Sequence, residues 1–185
     1  KDKVQKAAPI VAKSEPVRLP ERETHVVSSV PPSIPDDRND LSEADNSILI
    51  VEDDTHFAKA LLSYTRKAGY KGLVAVRGDE GIEMALAYKP IAILLDIQLP
   101  VKDGWEVMEE LKANPGTRHI PVHIMSSLEV KKESIRKGAV DFINKPIATE
   151  QMQQMFSKLD EALNKHPKKV LIIEENPHHA KALAY

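Results

Sequence analysis

From residue 46 onward, short apolar runs alternate with longer stretches whose apolar residues recur every three or four positions. Residues 48–51, ILIV, read as a first strand. Thr55 is placed to cap a following helix that turns Phe57, Leu61 and Tyr64 inward and ends at Gly69. Residues 73–76 read as a second strand, and a helix over 79–88 carries Ile82, Ala85 and Leu86 on one face. The third run, IAILLD at 91–96, is too apolar for an exposed edge and predicts a strand buried on both faces. The pattern continues with a helix over 104–112, a strand at 122–125, a short helix over 130–137, a strand at 141–143 and a last helix over 149–163. Five strands alternating with five helices predict an α/β fold, a doubly wound parallel sheet covered on both sides.

Such sheets bind ligands beyond the carboxyl ends of their strands, where the strand order reverses. Asp53 ends the first strand, Asp96 the third and Ser126 the fourth, and Lys145 lies just past the fifth. Four chemically active side chains are therefore expected on one rim. The first strand also runs into three consecutive acids, Glu52, Asp53 and Asp54. Acids at a strand end are ordinarily solvated loop residues, so this triplet has meaning only together with Asp96, Ser126 and Lys145.

Residues 1–45 hold six prolines and no glycine, the composition of an extended linker with little to offset the cost of ordering. At the other end, ILIVEDDTHFAKAL (48–61) recurs as VLIIEENPHHAKAL (170–183). The repeat divides the chain into a leader (1–45), one complete α/β domain (46–164), and a linker with the truncated start of a second copy (165–185). In that copy Glu175 stands where Asp53 stands in the first, and its longer side chain is expected to weaken a cation site.

Composition narrows the function. Of 185 residues 42% are hydrophobic, enough for a full core. With no cysteine, neither a disulfide framework nor a thiolate metal site is possible, and a reducing cytoplasm fits. A formal charge of −2 without a basic stripe argues against nucleic-acid binding. No apolar run approaches the ~20 residues of a membrane helix.

Carboxylates crowded at one rim raise one another's pKa unless a cation compensates, and oxygen-only ligands suit a hard ion such as Mg²⁺. Asp96 is then either a ligand alone or a ligand and a nucleophile toward phosphorus. Lys145 can neutralise phosphoryl charge, and Ser126 can donate a hydrogen bond to a phosphoryl oxygen. The histidines are weaker candidates: His56 reads as a surface residue at a helix start and His123 as strand packing.

At this point VEDD (51–54), LLDIQLPVKDGWEV (94–107), IPVHIMSS (120–127) and GAVDFINKP (138–146) resemble a receiver domain of two-component signalling. The resemblance implies a flavodoxin-like (βα)5 fold with Asp96 as phosphoacceptor. It also implies Mg²⁺ held by Asp53, Asp96 and the backbone carbonyl of Gln98, with Glu52 acting through a water. Ser126 resembles the switch hydroxyl, Lys145 the active-site lysine and Phe142 the aromatic switch, and the Lys145–Pro146 bond is expected to be cis. The longer phrases, the leader and the second copy resemble a receiver from a multi-receiver hybrid sensor histidine kinase. The implied partners are a kinase core, a histidine phosphotransfer protein or a neighbouring receiver, in the cytoplasmic part of a parent compatible with membrane anchoring. No kinase core lies within these residues. The stretch from Ser126 to Lys145 is shorter than in many such domains, so the helix over 130–137 is expected to be reduced.

Two other functions compete. An aspartyl-phosphate hydrolase of the haloacid-dehalogenase kind needs a second Asp two residues after the nucleophile, and that position is Gln98. A receiver-shaped docking domain that is never phosphorylated has no use for the intact acidic set.

Overall fold

The computed structural model describes residues 29–127 and 135–164. The helix expected over 130–137 and the second copy from residue 170, with Glu175, His178 and His179, lie largely or wholly outside the described residues.

Five strands form one parallel sheet: β1 Ser47–Val51, β2 Lys71–Ala75, β3 Ala92–Asp96, β4 Val122–Ser126 and β5 Asp141–Asn144. Their order is β2-β1-β3-β4-β5. This is the flavodoxin-like doubly wound arrangement, which opens its ligand crevice between β1 and β3, where the order reverses. The helices are α1 Thr55–Lys67, α2 Gly78–Tyr88, α3 Gly104–Ala113 and α4 Thr149–Asn164. Alternation along each strand feeds two cores. Leu49, Val51, Leu73, Ile93, Leu95, Ile124 and Phe142 pack on the side of α2 and α3. Ile48, Ile50, Val74, Leu94, Met125 and Ile143 pack on the side of α1 and α4. The central strands β1 and β3 are buried along their whole length, as the all-apolar runs require.

Two local readings are corrected. Asp54, not Thr55, caps α1: its Oδ1 accepts from the backbone N–H of His56 (2.9 Å) and of Phe57 (3.1 Å). A carboxylate one residue earlier reaches the same orphan donors and also meets the positive end of the helix dipole. The second strand, read as 73–76, begins at Lys71 and takes in Gly72, where a Cβ would fall 2.2 Å from Leu62 Cδ1. Residues 29–45, assigned to the leader by composition, also include a piece that packs: Ile34 is buried in the α1 core, and Leu41 packs on the opposite one.

His123 sits on β4 opposite Asp141, 5% exposed, and its Nδ1 has no hydrogen-bond partner among the described residues. Burial holds its pKa below the ordinary histidine value; Asp141 opposes that shift and Lys158 reinforces it. A base with a depressed folded pKa contributes stability above about pH 6.5, lost as pH falls through the folded value. We expect His123→Leu to gain stability relative to the parent chain as pH drops from 7 to 5, by up to about 1.4 kcal/mol per pH unit. Paired urea melts across that range check it, and parallel curves would show that His123 does not couple folding to protons.

Candidate functional site

The rim predicted from strand ends exists. Glu52 follows β1 and is fully buried, and Asp53 beside it is half-buried. Asp96 closes β3 at 5% exposure. Ser126 is the last residue of β4 and is fully buried; its backbone carbonyl accepts from the Lys145 N–H at 2.9 Å. That bond ties the segment after β5 to the end of β4 and sends the Lys145 side chain across to the other acids. Its ammonium stands 2.7 Å from Asp96 Oδ2 and 2.8 Å from Glu52 Oε1. The Lys145–Pro146 peptide is cis.

Glu52, Asp53 and Asp96 each bring a carboxylate oxygen within 4.8 Å of the others. Asp54, counted with them in sequence, belongs to the helix cap instead. Two like charges 4 Å apart in a partly buried setting repel by about 4 kcal/mol. One ammonium therefore under-compensates three carboxylates. Burial, then the charge of Asp96, pushes Glu52 up to about 7 against the pull of Lys145. Burial and Asp96 raise Asp53 as well. Burial alone would lower Lys145, but Glu52 and Asp96 outweigh it and hold the ammonium charged. Glu52 Oε2 lies 2.7 Å from Lys145 Nζ but outside hydrogen-bond geometry, and it is otherwise an unpartnered buried acceptor. An all-oxygen set with surplus negative charge fits a hard divalent cation.

Backbone contacts fix the phosphoacceptor candidate. Asp96 Oδ1 accepts from the Ile97 N–H at 2.6 Å, which orients the carboxylate. Gly104, first residue of α3, donates its N–H to the Ile97 carbonyl at 2.8 Å; Asp103 caps that helix through a reciprocal capping box with Glu106. Gln98 stands at the crevice, its Oε1 accepting from Ser127 Oγ at 3.1 Å. The loop that carries it is drawn tight, with the Lys102 N–H donating to the Pro100 carbonyl across Val101, whose φ is 69°. Gly78 lies underneath, and a Cβ there would fall 2.0 Å from the Lys102 carbonyl oxygen.

Phe142 is on β5, 7% exposed, in the α2–α3 core. Sequence reasoning missed the second role of Phe57. Expected only to face the core, it also places its ring 4.9 Å from the Lys145 ammonium, a cation–π contact. An aromatic in the first turn of the helix that follows an acidic strand end was the available signal.

A doubly wound domain with an acidic pocket and a lysine at its switch point defines a class, and comparison gives the family. Residues 48–157 match the response regulator receiver domain, and the chain belongs to that family. It is 36% identical over 105 residues to the polar-differentiation response regulator DivK of Brucella anthropi, covering 55% of this chain and 85% of DivK. It is 36% identical over 103 residues to the response regulator PleD of Caulobacter vibrioides, covering 54% of this chain but only 23% of PleD. Among solved structures it resembles the receiver domain of sensor histidine kinase PA1611 from Pseudomonas aeruginosa, determined with a magnesium ion coordinated in the active-site cleft. That match has a TM-score of 0.57 at 26% identity, over 63% of this chain and 98% of the other. The signal receiver domain of a signal transduction histidine kinase from Syntrophus aciditrophicus gives a TM-score of 0.58 at 27% identity, over 69% and 99%. Among the described residues no helix is long and apolar enough to cross a membrane.

Proposed function

We propose that residues 46–164 form the phosphoacceptor module of a two-component phosphorelay, in which Asp96 takes a phosphoryl group from a phosphohistidine. The observation that carries this reading is the single ammonium of Lys145 shared between Glu52 and Asp96, with Asp53 beside them. Asp53, Asp96 and the Gln98 carbonyl would hold Mg²⁺, with Glu52 acting through a water, and the ion would supply the charge that lets a carboxylate and a phosphoryl anion approach. The chain's own residues do the rest. A carboxylate oxygen of Asp96 attacks phosphorus; the O–P bond forms as the N–P bond of the donor breaks, and the imidazole nitrogen leaves and takes up a proton from solvent. Lys145 turns from its carboxylate partners toward the new phosphoryl oxygens. Ser126 offers its hydroxyl to one of them. Phe142, two residues before the β5 end and packed in the core, is the side chain whose repacking would carry the change to the surface.

The partners follow from that chemistry: a histidine kinase core, a histidine phosphotransfer protein or a neighbouring receiver. With the leader and the repeat at residue 170, the parent is read as a multi-receiver hybrid histidine kinase working in the cytoplasm, whether or not the parent is anchored in a membrane. Incubating the chain with acetyl phosphate and Mg²⁺ should add one phosphoryl group, mapped by mass spectrometry to Asp96 and lost when EDTA is included. Uptake at another side chain, or none in Mg²⁺, would overturn the assignment.

A further inference from the structure

Phe57 reaches the crevice because of how α1 begins. Asp54, next in sequence to the pocket acids, caps the helix and accepts from the Phe57 N–H at 3.1 Å, which ties the first turn of α1 to the rim. The half-buried ring packs against the α1 core and also stands 4.9 Å from the Lys145 ammonium. Ammonium–ring contacts elsewhere among the described residues, Lys67 with Tyr64 and Lys137 with Trp105, are longer at 5.6 Å. Attraction of a cation to a ring face grows as the cation loses water, and the Lys145 side chain is only 19% exposed.

The ring differs in kind from the other partners of Lys145. Asp96 takes one ammonium N–H at 2.7 Å and Glu52 another at 2.8 Å. An N–H held by a carboxylate is withheld from a phosphoryl oxygen, so a carboxylate that anchors Lys145 before transfer must yield during it. The ring quadrupole attracts the ammonium charge as a whole, needs no N–H aimed at one atom, and brings no net charge to repel an incoming anion. Of the three partners, the ring is the one that can hold Lys145 in place while its hydrogen bonds change.

We propose that Phe57 is a positioning residue for phosphoryl transfer: its ring keeps the Lys145 ammonium at the crevice while the ammonium exchanges Asp96 for the phosphoryl oxygens. This role rests on the reading of Asp96 as the phosphoacceptor.

Initial rates of labelling by acetyl phosphate in Mg²⁺, measured on the full 185-residue chain, test it. Phe57→Leu keeps an apolar side chain against the α1 core but has no ring face, and should slow labelling about five-fold, whereas Phe57→Tyr should restore the parent rate. Mono-, di- and trifluorinated phenylalanine, inserted at position 57 alone, drain charge from the ring face with little change of shape, and the rate should fall with each fluorine. That series decides the matter should Phe57→Leu fail to fold. Equal rates across it, in a parent chain that labels normally, would overturn the role of Phe57 and leave Asp96 untouched. Proton NMR supplies a second readout: the ring should shift the Lys145 ε-methylene signals upfield, and the shift should survive addition of beryllofluoride with Mg²⁺ as a phosphoryl mimic. Its loss on beryllofluoride binding would show that Lys145 leaves the ring and would also overturn the role. A parent chain that accepts neither acetyl phosphate nor beryllofluoride overturns the reading of Asp96 itself, a result distinct from a flat fluorine series.

Discussion

Asparagine at position 96 is expected to abolish uptake of the phosphoryl group while leaving the domain folded. The amide is nearly isosteric, and its oxygen can keep the 2.6 Å hydrogen bond from the Ile97 N–H. Two electrostatic effects then oppose each other. The ammonium of Lys145 loses its partner at 2.7 Å, but the charge that crowds Glu52 and Asp53 is also removed. Lys145 retains Glu52, both of whose oxygens lie within 2.8 Å of it, so no buried charge is left uncompensated. We expect a net stability change within about 1 kcal/mol, set against the 3–5 kcal/mol typical of stripping one partner from a buried pair. Mg²⁺ affinity should fall, since a neutral amide oxygen replaces a charged ligand. Acetyl phosphate labelling, urea melts and Mg²⁺ calorimetry on the one variant separate these effects. Persistent labelling would move the phosphoacceptor elsewhere, and a large loss of stability would make Asp96 chiefly a structural partner of Lys145.

The parts of this molecule that are regular in sequence were legible, and the reasons are physical. Strand positions followed from runs such as 91–96, because a strand buried on both faces tolerates few polar residues and the described β3 is buried throughout. The rim followed from topology, since parallel strands bring their carboxyl ends together however far apart they lie in sequence. That argument placed Lys145 near Glu52, 93 positions away. Its limit was the single residue. Asp54 and Asp53 are indistinguishable by type, and only the path of the chain into α1 turns one toward the helix amides and the other toward the pocket. The hydrogen bonding of residues 36–38 to β2 was invisible for a related cause. Residues 36–38 make their bonds with side chains to backbone 35 to 38 positions away, so they show no period, and the surrounding prolines gave the segment the composition of a linker. Ile34, one isolated apolar residue between prolines, was the available signal.

Gly104→Ala should be among the most damaging single-methyl changes in the domain. A Cβ at this position would fall 2.1 Å from the Asp96 carbonyl oxygen and 2.7 Å from Ile97 Cα. These are backbone atoms at and just past the end of β3, which carries Asp96, so no flexible side chain can swing aside. The start of α3 must back away, which strains both the 2.8 Å bond from the Gly104 N–H to the Ile97 carbonyl and the capping box at Asp103. Overpacking of this kind costs about 3 kcal/mol. Because the Asp96 backbone is what gets pushed, phosphorylation by acetyl phosphate should fall together with the melting temperature, even at temperatures where the variant is still folded. Gly69→Ala is the contrast. Its φ of 87° strains an alanine, but no atom lies within 4 Å of the added carbon, so about 1 kcal/mol of stability should be lost with labelling unchanged. Equal stability loss in the two variants, or normal labelling of a destabilised Gly104→Ala, would show that the approach of α3 to β3 does not hold the carboxylate of Asp96 in place.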